Sequence, residues 1–479
     1  MHLLETYLLF SSRARHDVMS DQPDKSKNER SEEDANKVAL SPAIRLWHLL
    51  VSHSDAQIVA TNVGWLMLEK VVRLILVLTI GAWVARHLGP SGFGKLSYAV
   101  SLIAIFQGVA SLGADGVIVR DLARNPGQVA EILGTTFRLR LLISTFCWTF
   151  STAAVALLRP HDYEAIILTS IIGLGLIFQS ASTVDLWFQS QGRNALSVSA
   201  KLMAYCASNL VRIGMLLADC PLWAFALALL VDAVFLGFAL AVVYWRFPLA
   251  QKWSFSWYRA KGMVIETWPF MVSSLAVLVY MRLDHVMIRE MLGEHALGLY
   301  SAIVPLSEIW SVIPVTLATA LAPYIAQKKV ENEEDYLEAL NRIFRVFAGI
   351  SVLATTLTVL LAKPIVLLLY GSLYESAVTV LALHVCSNIF VFLGVAQSIW
   401  IINEGRGRIT LYGTGLGAVV SLLGNWLLIP RFGLMGSAVT AVMAQLVASI
   451  AFSALYAPQI LRMQLLAFVP SLNWLRRGP

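Results

Sequence analysis

Cysteine and charge are both in short supply. Cys147, Cys206, Cys220 and Cys386 are the only cysteines in 479 residues. They stand singly, without a Cys-x-x-Cys pair, which excludes a disulfide framework or a cysteine-based zinc site as an organising element. At least the three inside helical stretches act as small apolar side chains. Charged residues make up 14% of the chain against 57% apolar ones, where a soluble domain carries about 25% charged residues. A multidomain water-soluble enzyme is therefore excluded, because so few polar groups cannot cover its surface. Enzyme signatures are missing too: there is no Walker loop, Gly-x-Ser-x-Gly, His-Glu-x-x-His or ATP-binding module. The net charge of +6 comes with no arginine-rich block and no basic-aromatic groove, so no nucleic-acid partner is expected. In an integral membrane protein such an excess reports topology and anionic headgroups.

What charge there is collects at the N-terminus: residues 1–60 hold 16 of the 66 charged side chains. This segment reads as a disordered cytoplasmic tail, with Met19 as an alternative start and a short interfacial helix expected over Leu40–Val51. Leu3–Phe10 is no signal-peptide core, being short, interrupted by Glu5 and followed rather than preceded by arginines.

A spanning helix needs about 20 apolar residues. Apolar runs mark about twelve transmembrane helices, at 63–86, 96–119, 139–158, 163–186, 196–217, 222–245, 264–288, 297–325, 342–362, 376–402, 409–429 and 434–457. The first, fifth, seventh and eighth carry internal charge. With the N-terminus inside, the even-numbered connections and the C-terminal tail hold 19 Lys and Arg and the odd-numbered ones 6, which puts both termini in the cytoplasm. The layout expected is all-α: a tail (1–60), a six-helix half (61–246), an interfacial linker rich in Trp and basic residues (247–263), a second half (264–460) and a cytoplasmic tail (461–479). The segment 327–341 is also expected to lie at the interface.

The chain resembles itself across its middle. Arg86-His-Leu-Gly-Pro-Ser-Gly-Phe-Gly94 recurs loosely as Glu290-Met-Leu-Gly-Glu-His-Ala-Leu-Gly298, and Trp187-x4-Gly192-Arg193 as Trp400-x4-Gly405-Arg406. The order is kept and the offsets, 204 and 213, are nearly equal. Two parallel six-helix repeats facing each other are an architecture for alternating access.

Charge within a span costs about 2.5–3.5 kcal/mol per residue and calls for an explanation. The first helix holds Glu69, Lys70 and Arg73. Glu69 and Arg73 are spaced for an ion pair, leaving Lys70 to face a cavity or snorkel. Arg212 and Asp232 are placed to pair across the fifth and sixth helices. In the seventh helix, Arg282, His285 and Arg289 share a face, while Asp284 lies about 200° from Arg282. Those two must therefore find separate partners or line a wet cavity, while His285 reads as a packed, hydrogen-bonded histidine. Glu308 sits mid-span in an eighth helix interrupted by prolines at 305, 314 and 323, a pattern suited to bending. Asp185, Gln179 and Asn425 complete the polar set. The intramembrane groups are of both signs, compatible with an anionic headgroup and an ion-coupling carboxylate. No metal or organic cofactor is expected; a proton or sodium gradient is the candidate energy source.

Asn62-Val-Gly-Trp-Leu, Ala85 through Gly94 with Tyr98, and Leu112-Gly-Ala-Asp115-Gly with Val119-Arg120 resemble the N-terminal pattern of Wzx-type polysaccharide flippases, of the multidrug/oligosaccharidyl-lipid/polysaccharide exporter superfamily. Tyr280-Met-Arg-Leu-Asp284-His-Val-Met287, Leu297-Gly-Leu-Tyr-Ser-Ala302, Leu306-Ser-Glu308 and Asn425 through Ala438 are similar to its later signatures. The resemblance runs over about residues 57–460. It implies a twelve-helix, MATE-like V-shaped fold and export of undecaprenyl-diphosphate-linked oligosaccharide across the inner membrane, for O-antigen, exopolysaccharide or capsule. A polysaccharide polymerase and a chain-length regulator are implied partners, alongside the lipid-linked oligosaccharide and membrane lipids. By that resemblance Arg73, Asp115, Arg120, Arg282, Asp284 and Glu308 are candidates for the headgroup path or coupling; Lys70, Asp185, Arg212 and Asn425 join them from the reading of the spans. A cation-coupled multidrug exporter is the alternative. A membrane polymerase is disfavoured by the short, charge-poor outer connections.

Overall fold

A computed structural model describes residues 54–247 and 252–468. The expected helix at 40–51 and most of the expected N-terminal tail lie outside the described residues, although residues 54–60 already belong to the first helix. Among the described residues the architecture is all-α. The N-terminal half comprises α1 (Ser54–Ala110), α2 (Asp115–Arg124), α3 (Val129–Leu158), α4 (Tyr163–Phe178), α5 (Ser182–Ser190), α6 (Asn194–Leu217) and α7 (Leu222–Arg246). The C-terminal half comprises α8 (Trp257–Leu292), α9 (Glu294–Glu308), α10 (Val312–Glu331), α11 (Glu333–Leu369), α12 (Ala377–His384), α13 (Ser387–Asn403), α14 (Gly407–Phe432), α15 (Leu434–Leu446), α16 (Phe452–Tyr456) and α17 (Pro458–Leu466).

Each of the twelve apolar stretches is mostly helical, the second running over the turn at 111–114 between α1 and α2. Nine helical units among the described residues are long and apolar enough to cross a membrane. The protein is a multi-pass membrane protein, and its outward surface is correspondingly apolar: Leu142, Phe146, Leu157, Leu210, Trp245, Leu353 and Leu360 are all exposed. The fifth and seventh stretches, in α6 and α8, fall outside those nine.

Glycine makes the turns. α1 folds back at Gly89 (φ 65°, ψ 172°), just before Pro90, and α8 ends at Gly293 (φ 88°, ψ −179°). Only glycine enters that backbone region at low cost, so the two members of the first sequence repeat share one conformation. The second repeat behaves likewise. After α5, the amide of Arg193 donates to the Phe188 carbonyl at 2.9 Å; after α13, Arg406 donates to Ile401 at 3.0 Å. Gly192 (φ 67°) and Gly405 (φ 64°) are the left-handed residues that close these helix ends.

Several helices are broken rather than straight. A 3-10 turn at Gln179–Ala181 separates α4 from α5, another at Ile309–Ser311 separates α9 from α10, and a π segment at Val447–Ala451 precedes α16. The break at 309–311 falls between Pro305 and Pro314, which remove ladder hydrogen bonds on either side.

One expectation changes: Cys206 is exposed rather than packed. Within the segment 327–341, α10 and α11 meet with Asn332 between them, its side chain capping the amide of Glu334. The segment after residue 460 is helical through Leu466, and Gln464 is fully buried, donating to the Ser449 carbonyl at 3.2 Å.

Candidate functional site

The two halves meet most closely at the end carrying Gly89 and Gly293. Adding a Cβ to Gly94 would overlap the Glu294 carbonyl, and one on Gly298 would overlap that of Pro90. With an offset of 204, residue 90 corresponds to 294 and 94 to 298, so the contact is reciprocal: each half's turn presses on the other half's glycine. The Tyr374 hydroxyl donates to the Ala85 carbonyl at 2.8 Å. Ala82, Ala85 and Tyr98 share one apolar cluster with Ile288, Leu297, Tyr300 and Tyr374.

Charges from both halves interlock over this cluster. Arg289, nearly inaccessible, is bonded to Asp162 across the interface and to Glu294 at 3.1 Å, with its guanidinium 4.1 Å above the Tyr98 ring. Arg159 pairs with Glu290, and Lys95 pairs with Glu164 and lies 3.8 Å from Glu294. Asp162 also caps α4 by accepting the Ala165 amide at 3.0 Å. Burial alone would raise its pKa, but that amide and the Arg289 and Arg159 guanidiniums together hold the carboxyl below the usual aspartate range.

Deeper in the C-terminal half lies a polar cluster on α8, α9, α12 and α13. Asp284 accepts from the His285 amide, from His285 Nδ1 and from the Tyr300 hydroxyl, each at 2.8 Å. Tyr300 sits edge-on between the rings of His285 and His384. His384 Nδ1 is 2.9 Å from Ser307 Oγ, and Asn388 donates to the Ser307 carbonyl at 2.8 Å, so the interrupted helices α9–α10 and α12–α13 are joined here. Glu308 ends α9 at its break and is accessible although it lies mid-span. The charges of Arg282, His285 and Asp284 all act on it. Arg282 has no carboxylate within ion-pair distance among the described residues.

The N-terminal half carries a matching cluster. Lys201 on α6 lies between Glu69 of α1 (2.9 Å) and Asp185 of α5 (3.2 Å), and Gln189 donates to Asp185 at 3.1 Å. One turn further along both helices, the Arg73 guanidinium stacks 4.8 Å above the Tyr205 ring. Glu69 and Arg73 on α1 thus form two rungs with Lys201 and Tyr205 on α6, each four residues apart. The expected Glu69–Arg73 pair is not formed, because a lysine on the facing helix reaches the carboxylate first. Arg212 and Asp232 lie 3.7 Å apart, and Ser208 donates to Asp232 at 2.7 Å. Lys70 is exposed. Near it, Thr316 Oγ1 approaches Met67 Sδ at 3.4 Å, tying α1 to α10 about 12 Å along the helix from Glu308.

The remaining candidates sit apart. Asp115 pairs with Arg140, whose side chain is 3% exposed and also donates to Ser182 Oγ at 2.9 Å. Arg120 bridges Asp121 (2.8 Å) and Glu266 (2.6 Å), fastening α2 to the start of α8. Beside them the 252–256 segment folds onto α3: the Ser254 amide donates to Ala130 at 3.3 Å, and Trp253 Nε1 to Tyr244 Oη at 2.7 Å. Asn425 is buried within α14, facing Ser421 at 3.4 Å. Sequence reasoning missed Lys201 and Arg140 as buried groups, since both lie near span ends and read as loop charges. His384 was missed as well, and Tyr300 was noted only as part of a motif, because neither belongs to the Asp, Glu, Lys and Arg set by which charge within a span is recognised.

The chain is similar to known proteins in both sequence and fold. The model of a family described as polysaccharide biosynthesis protein matches residues 83–379. A capsular polysaccharide biosynthesis protein, CapF, of Staphylococcus aureus is 20% identical over 404 residues, covering 82% of this chain and 98% of that protein. An uncharacterised membrane protein of Haemophilus influenzae is 24% identical over 252 residues, 51% of this chain and 60% of that one. Among solved structures, an inward-facing multidrug resistance MATE family transporter of the MOP superfamily superposes with a TM-score of 0.65 at 17% identity, over 83% of this chain and 96% of that one. The lipid II flippase MurJ, inward closed, gives 0.67 at 10% identity, over 84% and 90%. The fold is shared with both.

Proposed function

Because the chain belongs to the polysaccharide biosynthesis protein family matched over residues 83–379, we propose that it is an inner-membrane flippase. Its substrate would be an undecaprenyl-diphosphate-linked oligosaccharide, carried from the cytoplasmic to the periplasmic leaflet by alternating access for a surface polysaccharide. The likeness in sequence to a capsular polysaccharide biosynthesis protein and in fold to a lipid II flippase supports the same reading. In this reading the chain crosses the membrane twelve times, α1 counting as two crossings folded at Gly89. The Gly89/Gly293 end faces the periplasm, both termini face the cytoplasm, and the protein transports rather than catalyses.

The observation that carries the reading is the disposition of unpaired charge. Glu69, Asp185, Asp232 and Asp284 are all engaged by neighbours on their own half. Arg282, Arg73 and Lys70 meet no carboxylate within ion-pair distance among the described residues. A path in which four of the five carboxylates are engaged by neighbours, Glu308 being the exception, and in which Arg282, Arg73 and Lys70 are available suits a diphosphate, which guanidinium groups bind through charge-assisted, bidentate hydrogen bonds. A multidrug exporter of cations would need the reverse. Arg73, Lys70 and Arg282 would hold the diphosphate between the halves while the prenyl tail stays in lipid. Glu308, accessible and close to Arg282, is the candidate carboxylate for coupling to a proton or sodium gradient. The product would pass to a polymerase and its chain-length regulator.

The test is a deletion strain in which the leaflet holding the undecaprenyl-linked glycan is assayed. Glycan accumulating on the cytoplasmic face, with surface polysaccharide lost and Arg282→Ala failing to rescue at normal expression, is the expected result. Intact surface polysaccharide with new sensitivity to amphipathic cations would replace this reading with drug export.

A further inference from the structure

A groove of about 500 Å³ runs along the outside of the molecule near the Gly89 turn, lined by Thr79, Ala82, Trp83, Arg86, His87, Leu368 and Leu369. Its α1 side uses positions spaced three and four apart, one face of the helix. Its other side is the last turn of α11. The two walls therefore belong to different halves of the protein. Trp83 and Leu368 are exposed at 44% and 78%, so the groove opens outward to lipid and not into the path between the halves.

Of the groove's polar residues, Thr79 donates to the Ile75 carbonyl at 2.8 Å, and Arg86 is the one with donors to spare. It is exposed, and among the described residues no carboxylate lies within ion-pair distance of it. Of its five N–H donors, one finds an acceptor among the described residues, the Leu368 carbonyl at a long 3.4 Å. Its neighbour His87 is already committed, donating through Nε2 to the Cys220 carbonyl at 3.0 Å. Gly371 leaves room beside the guanidinium, which lies 3.6 Å from where a Cβ would stand. A guanidinium with spare donors, set at the end of a spanning helix above an apolar furrow, matches a lipid phosphate with its chain lying below.

We propose that this groove binds the phosphate headgroup of a resident anionic phospholipid, phosphatidylglycerol or cardiolipin, and that the bound lipid holds the two halves together at the Gly89/Gly293 end. The occupant is a resident lipid and not the passing substrate for a geometric reason. Release at this end requires the halves to separate, and separation pulls α11 away from α1 and takes the groove apart. A lipid seated across both walls is compatible only with the closed arrangement, and so stabilises it by mass action. The inference rests on the membrane placement proposed above but not on the identity of the transported molecule.

The test is native mass spectrometry and thermal unfolding of the full-length protein, with phosphatidylglycerol or phosphatidylethanolamine added. Wild type should retain a phosphatidylglycerol that Arg86→Gln retains about tenfold less well, as loss of one charge-assisted phosphate contact implies. Phosphatidylglycerol should raise the unfolding temperature of wild type and not of Arg86→Gln, and Arg86→Lys should recover part of the effect. If Arg86 merely caps α11, the substitution will lower stability equally with both lipids, and the proposal fails. It fails also if undecaprenyl phosphate displaces the phospholipid in an Arg86-dependent way, which would make the groove a carrier site. Neither failure touches the flippase reading, because no transport is measured.

Discussion

The ion pair between Arg289 and Asp162 joins the two halves where they are most tightly closed, and removing it should open that end. In Asp162→Asn the Arg289 side chain, 2% exposed, loses a charged partner that belongs to the opposite half. Breaking a fully buried pair costs about 3–5 kcal/mol. Here Glu294 remains at 3.1 Å and Asp162 itself is 26% exposed, so a smaller penalty of about 1.5–3 kcal/mol is expected. Once the halves part, water reaches both groups, so the penalty falls on the closed state alone. Each 1.4 kcal/mol is a tenfold change in population, so the open fraction should rise by about 10- to 100-fold. A cysteine at Ala85, which is fully buried in the inter-half cluster, reports this in a background without the native cysteines. Its rate of labelling by a membrane-impermeant maleimide should rise by the same factor. A rate unchanged within about twofold would refute the claim that this pair holds the end closed.

The same carboxylate sets a pH dependence. Because Asp162 is held below the usual aspartate range in the closed state, its contribution to closure is complete above the ordinary aspartate value. It is lost as pH falls through the depressed one. Labelling of Ala85→Cys, normalised at each pH to that of a permanently exposed cysteine so that ionisation of the thiol cancels, should stay flat through neutrality and rise only below about pH 4, and adding Asp162→Asn should abolish that rise.

Other expectations follow from the packing. Gly94→Ala and Gly298→Ala each push a methyl group into a carbonyl of the opposite half, a clash worth about 1–3 kcal/mol against closure; both should raise Ala85→Cys labelling to a similar extent, and an effect in only one would deny that the contact is symmetric. Lys201→Met leaves Glu69 and Asp185, both under 20% exposed, without their shared cation, at a cost of about 3–5 kcal/mol. The unfolding temperature should drop and recover in part when Glu69→Gln is added; a variant as stable as wild type would show that the cluster is solvated.

Composition and run length alone determined that this is a polytopic helical membrane protein, because insertion depends on how much polarity about 20 consecutive residues carry, whatever they later touch. The turns were legible for the same reason. Gly89 and Gly293, and Gly192 and Gly405, occupy backbone conformations that exclude a side chain, a local requirement that leaves its mark in the sequence as a repeat. The Arg212–Asp232 pair, and the failure of Arg282 and Asp284 to neutralise each other, also followed from spacing and span placement. Which charge meets which did not. Helical periodicity puts Glu69 and Arg73 on one face, but only the register of α1 against α6 hands Glu69 to Lys201 and Arg73 to the Tyr205 ring. Arg140 and Lys201 looked like loop residues until α3 and α6 packed against neighbouring helices. The reciprocal glycine contact and the Arg289–Asp162 bond join residues over a hundred positions apart. Their energies depend on distance and on excluded water, and both exist only once the helices have packed.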